Sequence, residues 1–137
     1  MKALIATLIL TTTSAQAFCP QLNALFHSGK TMVLPPPFNH DAKCTTSLAL
    51  SGETSTHCAW PFDYRAPEAT QAFEAVMKAV PSCLLTALEV EDDQDVNHPD
   101  FYDLRIFNAP QGEVGVSLKD KGGLQQTYVF LRVTPAS

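Results

Sequence analysis

No stretch of this sequence is apolar for long enough to cross a bilayer. The one sustained run, Ala3 to Leu10, falls far short of the ~20 residues that a helical span needs. It does follow Lys2 and lead toward Ala15-Gln16-Ala17. A basic start, a short apolar core and a small-x-small site make a secretory signal peptide, residues 1–17, removed behind Ala17. A lipid anchor on Cys19 would need a small residue directly before the cysteine, and Phe18 stands there instead. The expectation is an exported chain, periplasmic or secreted, with no membrane anchor after cleavage.

Positive charge is scarce as well. Once Lys2 is removed, 8 basic side chains face 14 acidic ones, a net charge of −6, which argues against nucleic acid and anionic lipid as partners. A protein partner with a basic or neutral polar surface is the expectation that remains. Absent too are C-x-x-C pairs and Cys/His spacings of the zinc type, so redox catalysis and structural zinc find no footing. No internal repeat or low-complexity tract divides the chain. Residues 18–137 amount to 120 residues, the ordinary size of one domain.

All four cysteines, Cys19, Cys44, Cys58 and Cys83, lie in that part, and an even count in an oxidising compartment reads as two disulfides. Following the chain outward along a strand from Cys58 and back along a helix brings Cys83 near Cys58. That path pairs Cys58 with Cys83 and Cys19 with Cys44. A hairpin bridge from Cys44 to Cys58 is the main rival, because the two flank a turn almost symmetrically.

Residues 18–43 read as an irregular N-terminal arm, held extended by Pro35-Pro36-Pro37. Alternating apolar positions then mark strands at Thr46 to Leu50 and Ser55 to Phe62 around the turn Ser51-Gly52-Glu53. Pro67 suits a first helical position, and Ala69, Ala72, Phe73, Val76 and Val80 recur at helical spacing up to Pro81. Leu84 to Val90 is an optional fourth strand beyond the helix, leading into an acidic stretch with Glu89, Glu91, Asp92, Asp93 and Asp95, expected as a solvated loop. Phe101 to Phe107, Glu113 to Lys119 and Thr127 to Val133 are the clearest strands, the last two joined by Asp120-Lys121-Gly122-Gly123. The order β-β-α-β-β-β predicts an α+β fold, an antiparallel sheet of about five strands with one main helix on one face.

Both faces of the late strands are partly apolar. With the helix on one side, the other is expected to expose Phe101, Arg105, Phe107, Tyr128, Phe130 and Arg132, a composition typical of binding hot spots. The plain alternative is that the arm covers this face. Asn97 and His98, in the cluster Asn97-His98-Pro99-Asp100-Phe101-Tyr102, add a candidate recognition loop, with Trp60 or Tyr64 nearby.

Other patterns dissolve on inspection. Gly29-Lys30-Thr31 resembles the end of a phosphate loop, but Ala24 occupies the required glycine position. Asp93, Asp95 and Asn97 match the first ligands of a helix-loop-helix calcium site, yet His98 replaces its turn glycine and Leu104 its bidentate Glu. They stay as weak metal candidates, and no cofactor is implied. Ser117 lacks the strand-turn-helix setting of a nucleophile elbow. His57 should face away from the core, and no catalytic residue set emerges. The reading that results is a small exported binding module, such as an inhibitor or immunity-type protein. Its rival is a small hydrolase or metal-assisted enzyme using His98 with Asp95 or Asp100.

Overall fold

The computed structural model describes residues 15–38, 40–84, 88–97 and 100–137, with the backbone alone given for 15–17, 88 and 90–97. The elements are α1 (Ala15–Leu25), β1 (Lys43–Leu48), β2 (Thr54–Asp63), α2 (Pro67–Cys83), β3 (Leu88–Asn97), β4 (Asp100–Ala109), β5 (Gly112–Lys121) and β6 (Gln126–Pro135). The strands form one six-stranded antiparallel sheet in the order β1-β2-β6-β5-β4-β3. The expected α+β class is thus observed, and the acidic stretch supplies an additional edge strand.

Local chemistry accounts for the central elements. In β5, Val114, Val116 and Leu118 alternate with Glu113, Ser117 and Lys119, and in β6 Thr127, Val129, Leu131 and Val133 are the buried row. Thr56, Cys58 and Trp60 continue that row on β2. α2 begins at Pro67, whose missing N–H costs nothing in a first turn. Its stripe Ala69, Ala72, Phe73, Val76 and Val80 is buried against the row. The helix runs past Pro81 to Cys83 instead of stopping before it, and the Leu84 amide closes the last turn on the Val80 carbonyl at 3.0 Å. Gly112 has φ +145, and a Cβ there would lie 2.1 Å from the Thr134 carbonyl oxygen, so the β4–β5 turn admits only glycine.

The N-terminal arm differs from expectation. Ala15–Leu25 is helical despite Pro20, since Phe18, Leu22, Leu25 and Phe26 form an apolar stripe at helical spacing and all four are buried. Residues 35–38 make a turn with a cis Pro36–Pro37 bond. The arm folds back on itself there, with Val33 bridging Asp41. Met32 and Leu34 join the core cluster that α2 covers, and the Trp60 indole donates to the His40 carbonyl at 2.9 Å. The arm therefore shares the helix side of the sheet and does not cover the opposite face.

The disulfides correct the expected pairing: Cys19 joins Cys83, and Cys44 joins Cys58. Cys44 and Cys58 lie directly opposite one another in the β1–β2 register, 4.0 Å apart at Cα. Cys83 ends α2, which packs on α1, and there it meets Cys19. With α1 unseen, Cys19 had no element to bring it to the end of α2. Among the described residues no helix is long and apolar enough to cross a membrane.

Candidate functional site

The register of the sheet determines which side chains share its open face, the one turned away from α1 and α2. Three rows cross it: Pro61, Tyr128, Lys119 and Tyr102; Ala59, Phe130, Ser117 and Leu104; His57, Arg132, Gly115 and Ile106. Tyr128 and Phe130 stack, with ring centroids 5.3 Å apart and planes 13° from parallel. The Tyr128 hydroxyl also donates to Gln126 Oε1. The Lys119 ammonium lies 5.0 Å from the Tyr102 ring centroid, close enough for a cation–π contact.

Gly115 shapes the middle of this face. Having no side chain, it lets the Arg132 guanidinium lie across β5, where a Cβ would come within 3.4 Å of Nη2. Arg132 is steadied by Glu113, whose Oε1 accepts a bond of 2.9 Å. His57 lies across the ladder from Arg132. Partial burial first, and the Arg132 charge second, hold its pKa below the ordinary imidazole value. The result is a hollow of about 290 Å³ lined by His57, Tyr102, Leu104, Ser117, Lys119, Phe130 and Arg132 around Gly115.

A second concavity, about 840 Å³, opens on the helix side between α2 and β4. α2 packs over β5, β6 and β2, and the helix-side row of β4 extends beyond it as Phe101, Asp103 and Arg105. Asp103 and Asp120 occupy positions that alternation would assign to the core, and both are nearly buried. Such carboxylates must be partnered. Asp120 accepts from Thr127 Oγ1 at 2.8 Å, Arg65 Nε at 3.2 Å and the Phe101 amide at 3.3 Å. Asp103 accepts from Arg105 Nε at 3.0 Å, and Arg105 Nη1 also reaches Glu89 at 3.3 Å. Close by, the Tyr64 hydroxyl donates to Asp100 at 2.8 Å. That bond, with lesser contributions from its surroundings, raises the phenol pKa.

The structure therefore divides the expected surface. Tyr128, Phe130 and Arg132 share the open face, whereas Phe101, Arg105 and Phe107 belong to the helix side, Phe107 being buried in the core. Their place on the open face is taken by Tyr102, Leu104 and Lys119. The reason is the β4–β5 register, which sets Arg105 opposite Val116 and Phe107 opposite Val114. Tyr64 does lie beside the start of β4, through Asp100, while Trp60 is core.

Asp93, Asp95 and Asn97 are backbone partners of Leu104, Tyr102 and Asp100 in β3, so the segment is a strand where a solvated loop was expected. His98 and Pro99 lie outside the described residues, and with them the rival enzymatic reading. Among the described residues no three His, Cys, Asp or Glu side chains converge as a metal-binding group. His40 stacks on Phe62, with centroids 5.9 Å apart.

Fold and site together define a disulfide-stapled α+β protein with helices on one side of its sheet and an aromatic, cationic patch on the other. No family model matches the chain, and no curated protein or solved structure matches it either.

Proposed function

We propose that this chain is a small exported binding module without catalytic activity, docking a protein partner on its open sheet face in the manner of an inhibitor or immunity-type protein. One observation carries the reading: the stacked Tyr128–Phe130 pair, flanked by Arg132 and Lys119, stands on a face that neither helix nor arm covers. Aromatic side chains with arginine dominate binding hot spots, because they bury large areas at low entropic cost and still make polar contacts. The hollow above Gly115 gives such a partner a place to insert. Export is supported by the two disulfides, which need an oxidising compartment.

The test uses the oxidised mature protein, immobilised, with extract from its own compartment and Phe130→Ala and Arg132→Ala as comparisons. The partner should be retained by the parent and lost at least tenfold by each variant, equivalent to ~1.4 kcal/mol or more. Equal retention by both variants removes the open face from the reading.

A further inference from the structure

The sheet ends in two open edges of different character. β3 carries five carboxylates between Glu89 and Asp95, so pairing it with a second copy would set acid against acid. β1 contains no acidic residue, only Lys43 at its start, and is followed by an apolar tip where Leu48 is 74% exposed and Leu50 fully so. β1 is also rigidly presented, since the Cys44–Cys58 bridge locks it to β2.

The hydrogen-bond phase of the hairpin shows which groups β1 offers. The Ala49 amide donates to the Glu53 carbonyl at 2.8 Å, which makes that a hydrogen-bonded pair. Antiparallel pairs alternate, so Cys44–Cys58, Thr46–Thr56 and Leu48–Thr54 are non-hydrogen-bonded pairs in the register. The close Cα spacing at Cys44–Cys58 agrees. The N–H and C=O groups of Cys44, Thr46 and Leu48 therefore point away from β2, toward the open edge. Among the described residues, no turn or loop backbone bond uses them.

We propose that this edge pairs with a second copy of the chain, antiparallel about a two-fold axis at Thr46, joining two sheets into one. In that register Thr46 meets Thr46 of the partner copy, Cys44 meets Leu48, Thr45 meets Ser47 and Lys43 meets Ala49, so no like charges oppose. The outward groups make about six new backbone bonds. Leu48 packs on the partner copy's Cys44–Cys58 bridge, and the pairing ends at Lys43, because beyond it the Ala42 amide already donates to the Met32 carbonyl at 2.8 Å. Like-to-like pairing closes at two chains, whereas joining β1 to an acidic β3 edge would propagate without end. This surface is separate from the open face and does not depend on it.

Sedimentation equilibrium of the oxidised protein, from micromolar to millimolar concentration, should give twice the monomer mass. Thr46→Pro deletes an outward N–H without touching the β1–β2 ladder, a site where proline is tolerated, and should give a monomer that melts where the parent does at concentrations too dilute for pairing. Should that variant fail to fold, Leu48→Lys decides: it puts a charge where Leu48 packs on the partner copy's Cys44–Cys58 bridge and should also dissociate the pair. A parent that stays monomeric at millimolar concentration overturns the proposal. So do a folded Thr46→Pro or Leu48→Lys variant that remains dimeric, assemblies larger than two chains, or a monomer that takes up only an extended peptide.

Discussion

At the scale of single residues, His57 reports on the electrostatics of the open face. Its imidazole is held below the ordinary value by burial and by Arg132, while Glu113 partly neutralises that arginine. An unfolded chain protonates this histidine near pH ~6.5, and the folded chain resists until lower pH. Between those two points the unfolded state holds more protons. The contribution of His57 to stability is therefore complete above the unfolded value and is lost as pH falls through the folded one. Proton NMR should place the His57 midpoint below the ordinary imidazole value of ~6.5. Arg132→Met should move the midpoint up without restoring it fully, because burial is the larger cause. A midpoint at or above that ordinary value, or one indifferent to Arg132→Met, contradicts this account. Asp120 makes the complementary point: a carboxylate in a core-side row survives because Thr127, Arg65 and the Phe101 amide occupy both its oxygens.

At the scale of elements, α1 depends on a long-range tie. Cys19–Cys83 spans 64 residues and Cys44–Cys58 spans 14, so chain entropy makes the first worth ~4 kcal/mol against ~3 for the second. Urea unfolding of the paired Cys19→Ser, Cys83→Ser variant should show a loss ~1 kcal/mol larger than that of the Cys44→Ser, Cys58→Ser variant. Equal losses would mean that α1 holds its place through Leu22, Leu25 and Phe26 alone. What was legible in the sequence follows the same division between local and long-range. The period of β5, β6, β2 and α2 is written in neighbouring residues, so these elements and their buried rows could be read directly. Pro20 concealed α1, and with it the partner of Cys19. The acidic residues from Glu89 to Asp95 suggested a loop, although carboxylates suit an edge strand, where they discourage further pairing. On β4 both rows are partly apolar, Phe101 and Phe107 on one and Leu104 and Ile106 on the other. Only the register with β5 assigns them to a side, and no local pattern encodes that register. The register therefore sets Phe101, Arg105 and Phe107 on the helix side, while Tyr128, Phe130 and Arg132 share the open face along their own strand.

At the scale of the whole molecule, the proposed cleavage site and the fold make a joint demand. Phe18 is only 2% exposed and Cys19 is bridged to Cys83, so the first residue after Ala17 is already part of the core. A cut one or two residues further on would remove the aromatic ring or the half-cystine. A cut behind Ala17 removes neither, and it also moves Pro20 into the first turn of the shortened helix, where a missing N–H is harmless. Intact mass spectrometry of protein taken from its native host should therefore match residues 18–137 with both disulfides formed. A mature start beyond Cys19, or four free thiols in the native protein, would break the link between export and this fold. The acidic surface, with a net charge of −6 after cleavage, would then lose its rationale as the complement of a basic partner met outside the cytoplasm.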